Sequence, residues 1–358
     1  MGLDSSVLRI LDANLNRARE ALRVIEDHAR FVLDDADAAE RVKIVRHGLR
    51  QIVTAVGPDE LLGARDILND VGRDVKTADE QQRGSTDDVV RAAFGRLTEA
   101  ARVLGEYGKL VSAAGADAAE RLRYRTYELE QRIVLRGTLC AHVRRVRLYV
   151  ILTEALCARE WHETAEAVLR GGAGCLQLRE SRLSDAELLG RARRLRELTA
   201  RHEALLVIND RPDIARLSGA DGVHVGQDDL PVADARRIAG GSILVGKSTH
   251  TPEQFDAATA EEPDYLAVGP MFASTTKPQD HIAGPQTLAE VAKRTQIPLV
   301  GIGGVTADNI EQVMRAGASC VCVCSAIIGE KDAEAAARRL LREAESAADH
   351  GQTTRPAS

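Results

Sequence analysis

The chain has 358 residues, too many for one ordinary compact domain and enough for two that each bury a core. A net charge of -6 with 3% aromatic residues offers neither a basic patch nor a stacking surface, so nucleic acid is not an expected partner. No apolar stretch approaches the roughly 20 residues of a membrane span and no signal pattern opens the chain, so the expected setting is the cytoplasm, without a membrane partner.

In chain order, the first element is a long amphipathic helix. Leu8, Leu11, Leu15, Ala18, Leu22, Ile25 and Ala29 recur every three or four positions, and "DSS" before them reads as its N-cap. The pattern returns later. Aligning "NRAREALRVIEDHARFV" from Asn16 with "GRLTEAARVLGEYGKLV" from Gly95 matches Arg17, Glu20, Ala21, Arg23 and Val24 to Arg96, Glu99, Ala100, Arg102 and Val103. With "RVKIVRHGLRQIVTAV" and "AERLRYRTYELEQRIVLR" as further helical faces, residues 1–143 are expected to form an all-α bundle with an internal helix repeat. Between the repeats, the stretch from Gly63 to Asp88 is rich in Asp, Arg and Gly, and so long a loop in a compact domain is usually functional.

From about residue 144 the texture changes to short β-branched runs alternating with helical stretches. The runs are "RLYVILT", "CLQLRE", "LLVIND", "GVHVG", "ILVGKST", "YLAVGPMF", "PLVGIGG" and "CVCVCSAI". Eight strand–helix units in roughly 200 residues point to an α/β fold, a (β/α)8 TIM barrel over 144–348, followed by a disordered tail over 349–358. Six cysteines include no C-x-x-C pair. Cys320, Cys322 and Cys324 share one face of the last candidate strand and are read as small buried apolar residues rather than as a metal site.

Such a barrel carries its chemistry at the C-terminal ends of its strands. The second strand ends in Gln177, Arg179, Glu180 and Ser181, the third in Asn209 and Asp210, and the fourth in Gln227, Asp228 and Asp229. The fifth offers Lys247, Ser248, Thr249 and His250, and the sixth runs into Ser274, Thr275, Thr276 and Lys277. Two carboxylates on neighbouring strands, Asp210 and Asp229, would repel unless a cation lay between them, and hard oxygen ligands favour Mg2+. Arg179 and Lys277 then suit a polyanion, such as a pyrophosphate, that the magnesium also binds. Gly303, Gly304, Cys324 and Ser325 follow the last two strands, where main-chain N–H groups would bind a second, separate phosphate. No Cys–His or Ser–His–Asp arrangement is evident, so the expected chemistry is transfer between two small-molecule substrates on the strength of a good leaving group. His224 and His250 are read as satisfied barrel residues, not catalysts.

The motifs "LQLRE", "VINDRPDIA", "DGVHVGQDDLP", "GKSTHT", "YLAVGPMFASTTK", "GIGGV" and "VCSAI" together resemble those of the thiamine phosphate synthase family over about residues 147 to 345. The resemblance implies that hydroxymethylpyrimidine pyrophosphate and hydroxyethylthiazole phosphate, or its carboxylated form, are joined into thiamine phosphate with release of pyrophosphate. Asp210 and Asp229 would hold the magnesium. Gln177, Arg179, Ser181, Asn209, Ser248 and Lys277 would bind the pyrimidine pyrophosphate, with Arg179, Ser248 and Lys277 catalytic. Ser274, Thr275, Thr276, Gly304, Cys324 and Ser325 would line the thiazole phosphate pocket. The implied mechanism is dissociative: pyrophosphate leaves, a methylene cation forms on the pyrimidine, and the thiazole nitrogen attacks.

One position departs from the pattern. The family usually shows Gln-x-Arg-x-Lys on the second strand, whereas the last position here is Ser181, which predicts weaker pyrophosphate affinity or compensation by Arg182. The N-terminal helices resemble an extension fused to some members, to which a hydroxymethylpyrimidine phosphate kinase role is attributed. No glycine loop for phosphates is visible there, so ATP would have to use the loop around Arg65, Asp66, Asp70, Arg73 and Asp74; the other reading is a bundle for docking or dimerisation. For the barrel, the competing readings are a thiazole tautomerase of similar fold and a non-catalytic sensor of thiamine precursors. The sequence leaves a homo-oligomer open.

Overall fold

The structure is a computed structural model that describes residues 4–33, 35–65, 83–274 and 281–352. The chain divides into two compact units, Met1–Gly137 and Thr138–Ser358.

The first unit is built from α1 (Ser5–Phe31), α2 (Ala36–Val56), α3 (Pro58–Gly63), α4 (Thr86–Gly108) and α5 (Ala113–Glu130). Each long helix starts on a side-chain cap that satisfies an otherwise unpaired N–H: Asp4 accepts from Ser6 N at 2.8 Å, Asp35 from Ala38 N at 2.8 Å, Ser85 from Asp88 N at 3.1 Å and Ser112 from Gly115 N at 3.2 Å. The repeat governs the packing. Ala18, Ala21, Leu22 and Ile25 of α1 and their counterparts Leu97, Ala100, Ala101 and Leu104 of α4 are all buried. The duplication extends further than the motif alone suggests. Val42, Val45 and Ile52 of α2 match Ala119, Leu122 and Leu129 of α5 in the same order, and these are buried too. The unit is therefore a doubled helical hairpin, with α1 against α4 and α2 against α5.

The second unit is a closed parallel barrel in the order β1 (Leu148–Leu152), β2 (Cys175–Leu178), β3 (Leu205–Asn209), β4 (Gly222–Val225), β5 (Leu244–Thr249), β6 (Tyr265–Val268), β7 (Leu299–Ile302) and β8 (Cys320–Val323), with β1 paired to β8. Every strand falls within one of the runs expected from the sequence. Helix α6 (Arg136–Arg145) leads into it. The surrounding helices are α7 (Trp161–Arg170), α8 (Asp185–Arg201), α9 (Pro212–Ser218), α10 (Val232–Ala239), α11 (Pro252–Ala260), α12 (Gly284–Val291), α13 (Ile310–Arg315), α14 (Ser325–Ile328) and α15 (Ala333–Gln352).

Strand alternation sorts side chains into two cores. Leu176, Leu206, Val245 and Val321 face the helices, while Cys175, Leu205, Val207, Leu244, Cys320 and Cys322 face the barrel axis. Leu139, Cys140 and Val143 of α6 pack with that inner set and close the bottom of the barrel. This moves the divide between units to 137/138 from the expected 143/144, because the last turns of α6 belong to the barrel core. A second difference lies at the end: α15 runs to Gln352, into the stretch expected to be a disordered tail, while residues 353–358 lie outside the described residues. Among the described residues no helix is long and apolar enough to cross a membrane.

Candidate active site

The barrel axis changes from apolar at the bottom to polar at the C-terminal mouth, where a cavity of about 440 Å³ opens. Its walls bring together Gln177, Arg179, Asn209, Asp210, Asp229 and Ser248. Ser274, Gly303, Gly304, Cys324 and Ser325 line it as well. Residues far apart in the chain thus share one chamber, as the strand exits require.

Asp210 sits just past β3 in a left-handed backbone conformation, φ +60°, which is uncommon for a residue other than glycine. The conformation is held by its N–H, which donates to His224 O at 2.8 Å, and by Asn209, whose Nδ2 donates to Asp210 Oδ2 at 2.5 Å. Asp229 is held by Gly226 N, which donates to its Oδ2 at 2.7 Å. Burial, followed by the adjacent Asp229 carboxylate, pushes Asp210 up to about 6, while Arg179 and Asn209 pull it down. The two carboxylates therefore share one rim, with Arg179 beside them. Arg179 also lowers Cys324, so its charge reaches both the acidic pair and the loop after β8. Two all-oxygen protein ligands fit magnesium, which commonly completes its shell with water and substrate oxygens. Groups of three or more His, Cys, Asp or Glu able to hold a metal are absent among the described residues.

Across the cavity, Gly303 and Gly304 take φ +94° and +66°. A Cβ on Gly304 would come within 2.6 Å of Phe272 O and 2.7 Å of Ala273 O, so only glycine lets β7's exit lie this close to the loop after β6. Phe272 N donates to Gly303 O at 3.0 Å and ties the two loops together. Cys324, at the N-terminus of α14, is pushed up to about 11 by burial and stays a thiol at neutral pH.

Between these two ends runs a buried hydrogen-bonded chain that sequence reading missed in part. Gln177 Nε2 donates to Tyr149 Oη at 2.7 Å, and the Tyr149 and Tyr265 hydroxyls lie 3.1 Å apart. Tyr265 Oη is 3.1 Å from His224 Nδ1, and His224 Nε2 is 2.8 Å from Ser248 Oγ. Burial lowers His224 to about 4, so the ring is neutral and each nitrogen has a hydroxyl partner. His224 is thus the satisfied barrel residue expected, yet it lines the cavity. Position parity could have placed it inward with Ser248; the tyrosines gave no such signal, because their partners lie on other strands.

Other expected exit residues point elsewhere. Lys247 is buried beneath the helices and pairs with Glu261 at 3.6 Å, and Thr249 Oγ1 donates to Ala267 O at 3.2 Å; period-two alternation turns both away from Ser248. Glu180 pairs with Arg191 at 3.1 Å, and Gln227 Nε2 donates to Ser248 O. Arg211 is held by Asp185 and Asp213, each at 2.7 Å, an ordinary surface arrangement. Ser181 and Arg182 are exposed and do not line the cavity. Thr275, Thr276 and Lys277 lie outside the described residues, as do Asp66, Asp70, Arg73 and Asp74. Arg65 is described, and its guanidinium is engaged by Asp12 in two hydrogen bonds of 2.7 Å.

Comparison with known proteins decides between the barrel readings. Residues 148–327 match the thiamine monophosphate synthase family, and residues 9–132 match the ThiD2 family. A thiamine-phosphate synthase of Thermosynechococcus vestitus is 41% identical over 93% of this chain and 94% of that protein. The chain belongs to the thiamine-phosphate synthase family. A second thiamine-phosphate synthase, from Synechocystis sp., is 40% identical over 94% of this chain and 96% of its own length. Among solved structures, a thiamine phosphate pyrophosphorylase from Pyrococcus furiosus is 30% identical and aligns with a TM-score of 0.54, covering 57% of this chain and 98% of that one. The two relatives align along nearly the whole of this chain, while the Pyrococcus furiosus structure corresponds to a part of it.

Proposed function

We propose that the barrel mouth joins hydroxymethylpyrimidine pyrophosphate to a thiazole phosphate, with the leaving pyrophosphate at the Asp210–Asp229 rim and the thiazole phosphate at the Gly303–Gly304 and Cys324–Ser325 loops. The observation that carries this reading is the pair of crowded carboxylates beside Arg179, at the opposite side of one cavity from a glycine-built loop cluster. Asp210 and Asp229 hold Mg2+, which when bound supplies positive charge to the departing pyrophosphate. Arg179 donates to the pyrophosphate oxygens as negative charge grows on them, and Asn209 keeps the Asp210 carboxylate turned to the rim. Lys277, carried over from the family motif, adds a second cation. Gln177 and Ser248, at the two ends of the buried hydroxyl chain, are held in fixed orientation for the pyrimidine. His224 is neutral and both of its ring nitrogens face hydroxyls, so the buried chain sets no positive charge beside the methylene cation. Main-chain N–H groups around Gly304, Cys324 and Ser325, with Ser274, Thr275 and Thr276, bind the thiazole phosphate.

The assay is pyrophosphate release and thiamine phosphate formation by the full chain with both substrates and magnesium. Asp210→Asn and Asp229→Asn are expected to lower kcat/KM by about a hundredfold or more. Binding of both substrates without turnover would mean a sensor, and turnover that survives chelation of magnesium would remove the acidic pair from the mechanism.

For the helical unit, the ThiD2 match supports a hydroxymethylpyrimidine phosphate kinase, with ATP as its phosphoryl donor. Phosphate transfer from ATP to hydroxymethylpyrimidine phosphate by the full chain tests it; no transfer leaves the unit an accessory of the barrel.

A further inference from the structure

On the helical unit a groove of about 640 Å³ runs between α1 and α2, lined by Arg19, Glu20, Arg23, Arg46, His47 and Arg50. Arg19 and Arg23 on α1, and Arg46 and Arg50 on α2, are each spaced by one helical turn, which sets each pair on a single face. Beneath them lies Glu26, whose side chain is 2% exposed and pairs with Arg46 at 2.7 Å and Arg23 at 3.7 Å. Glu26 therefore anchors two guanidinium groups at the groove. With Glu20 and Glu26 counted against the four arginines, the site keeps a local excess of positive charge in a chain whose net charge is -6. Such an excess destabilises the fold by self-repulsion unless an anion occupies it.

The duplicated hairpin shows that packing does not demand this cluster. The equivalent positions on α4 and α5 are Thr98, Glu99, Arg102, Arg123, Tyr124 and Tyr127, with Gly105 in place of Glu26. The second copy keeps the buried face yet has two arginines where the first has four, and its two tyrosines are 56% and 44% exposed and pack edge to face. The charge stands on one copy of a shared scaffold, as a ligand site on that copy requires.

We propose that the α1–α2 groove binds a small-molecule oligophosphate, a di- or triphosphate, through Arg19, Arg23, Arg46 and Arg50. Guanidinium forks match phosphate oxygens two at a time, and four of them suit several adjacent anionic groups better than a single carboxylate. The volume falls within the roughly 300–1,000 Å³ of small-ligand sites. An extended polyanion such as duplex DNA needs a longer basic surface than this acidic chain offers. The inference concerns binding and stands whether or not the unit transfers phosphate.

The test is calorimetric titration of the full chain, carrying Arg179→Ala to silence the barrel, with tripolyphosphate in magnesium-free buffer. Arg19→Ala with Arg50→Ala is expected to weaken binding by about tenfold or more, and Glu20→Gln, which removes a carboxylate from the rim, to tighten it by about threefold. Without Arg179→Ala, neither change alters pyrophosphate release by the barrel. Equal tripolyphosphate affinity in the double variant would overturn the assignment. So would binding of duplex DNA, lost in the double variant, by a chain that shows no tripolyphosphate binding. If the double variant does not fold, the Glu20→Gln titration decides alone: unchanged or weaker binding overturns the proposal.

Discussion

Asp210 shows how a single residue is set for its task at the expense of the fold. Its left-handed backbone costs roughly 1–3 kcal/mol and aims the carboxylate at Asp229, where burial and like charge push it up to about 6. Because this value lies above that of an unfolded chain, Asp210 favours the folded state when protonated, and that stability is lost as pH rises through about 6. Buried, neutral His224 works in the opposite direction, so the Asp210 contribution is read as a difference: between about pH 5 and about pH 7.5 the melting temperature of metal-free Asp210→Asn is expected to gain relative to that of the unsubstituted chain. If the ionised pair holds magnesium as proposed, the added ion should raise the melting temperature more at about pH 7.5 than at about pH 5. An equal magnesium shift at both values in thermal unfolding would separate the acidic pair from metal binding. A second residue-scale expectation concerns Ser181, which stands exposed at the position where the family usually has Lys. Ser181→Lys is expected to lower KM for the pyrimidine pyrophosphate by up to about fivefold, the range of a solvent-screened ion pair. Arg182→Ala should change it by less than about twofold, since Arg182 also lies off the cavity wall; steady-state kinetics measures both.

Among the elements, the loops after β6 and β7 act as one unit. Gly304→Ala would drive a methyl group against Phe272 O and Ala273 O from a left-handed backbone, so the loops must separate. The expected result is a KM for thiazole phosphate raised about tenfold with a stability loss of about 1–3 kcal/mol, and a smaller change in KM for the pyrimidine substrate. In the helical unit, small residues at the α1–α4 seam let the duplicated helices approach closely: Ala18, Ala21, Ala100 and Ala101 are fully or almost fully buried. Ala21→Leu overfills that seam and is expected to cost about 1–3 kcal/mol in chemical denaturation. The melting behaviour of the barrel should not follow it.

For the whole molecule, the decisive fact is that each unit has a core of its own. Leu15, Leu22, Phe94 and Leu97 pack within the helical unit, while Leu148, Leu206, Val245 and Val321 pack within the barrel. A chain beginning at Thr138 keeps the turns of α6 that close the barrel bottom and is expected to retain kcat/KM for synthesis within about threefold. One beginning at residue 148 loses that closure and is expected to unfold at lower temperature, by calorimetry.

Local periodicity carried much of this in the chain itself. Spacings of three and four marked α1 and its repeat, and alternation of two marked the barrel strands, because each depends only on residues a few positions apart. The same alternation, followed strictly, separates Ser248 from Lys247 and predicts one shared face for Cys320, Cys322 and Cys324. Asn209, Asp210 and Arg211 are consecutive, yet they are tied to the Asp210 carboxylate, to the neighbouring strand and to surface carboxylates respectively, which no local pattern encodes. Tertiary structure alone decided the chain from Gln177 through Tyr149, Tyr265 and His224 to Ser248, and the arginine groove between α1 and α2. Those arrangements join residues distant in sequence, and barrel closure and helix packing bring them within bonding distance only once the whole register is set.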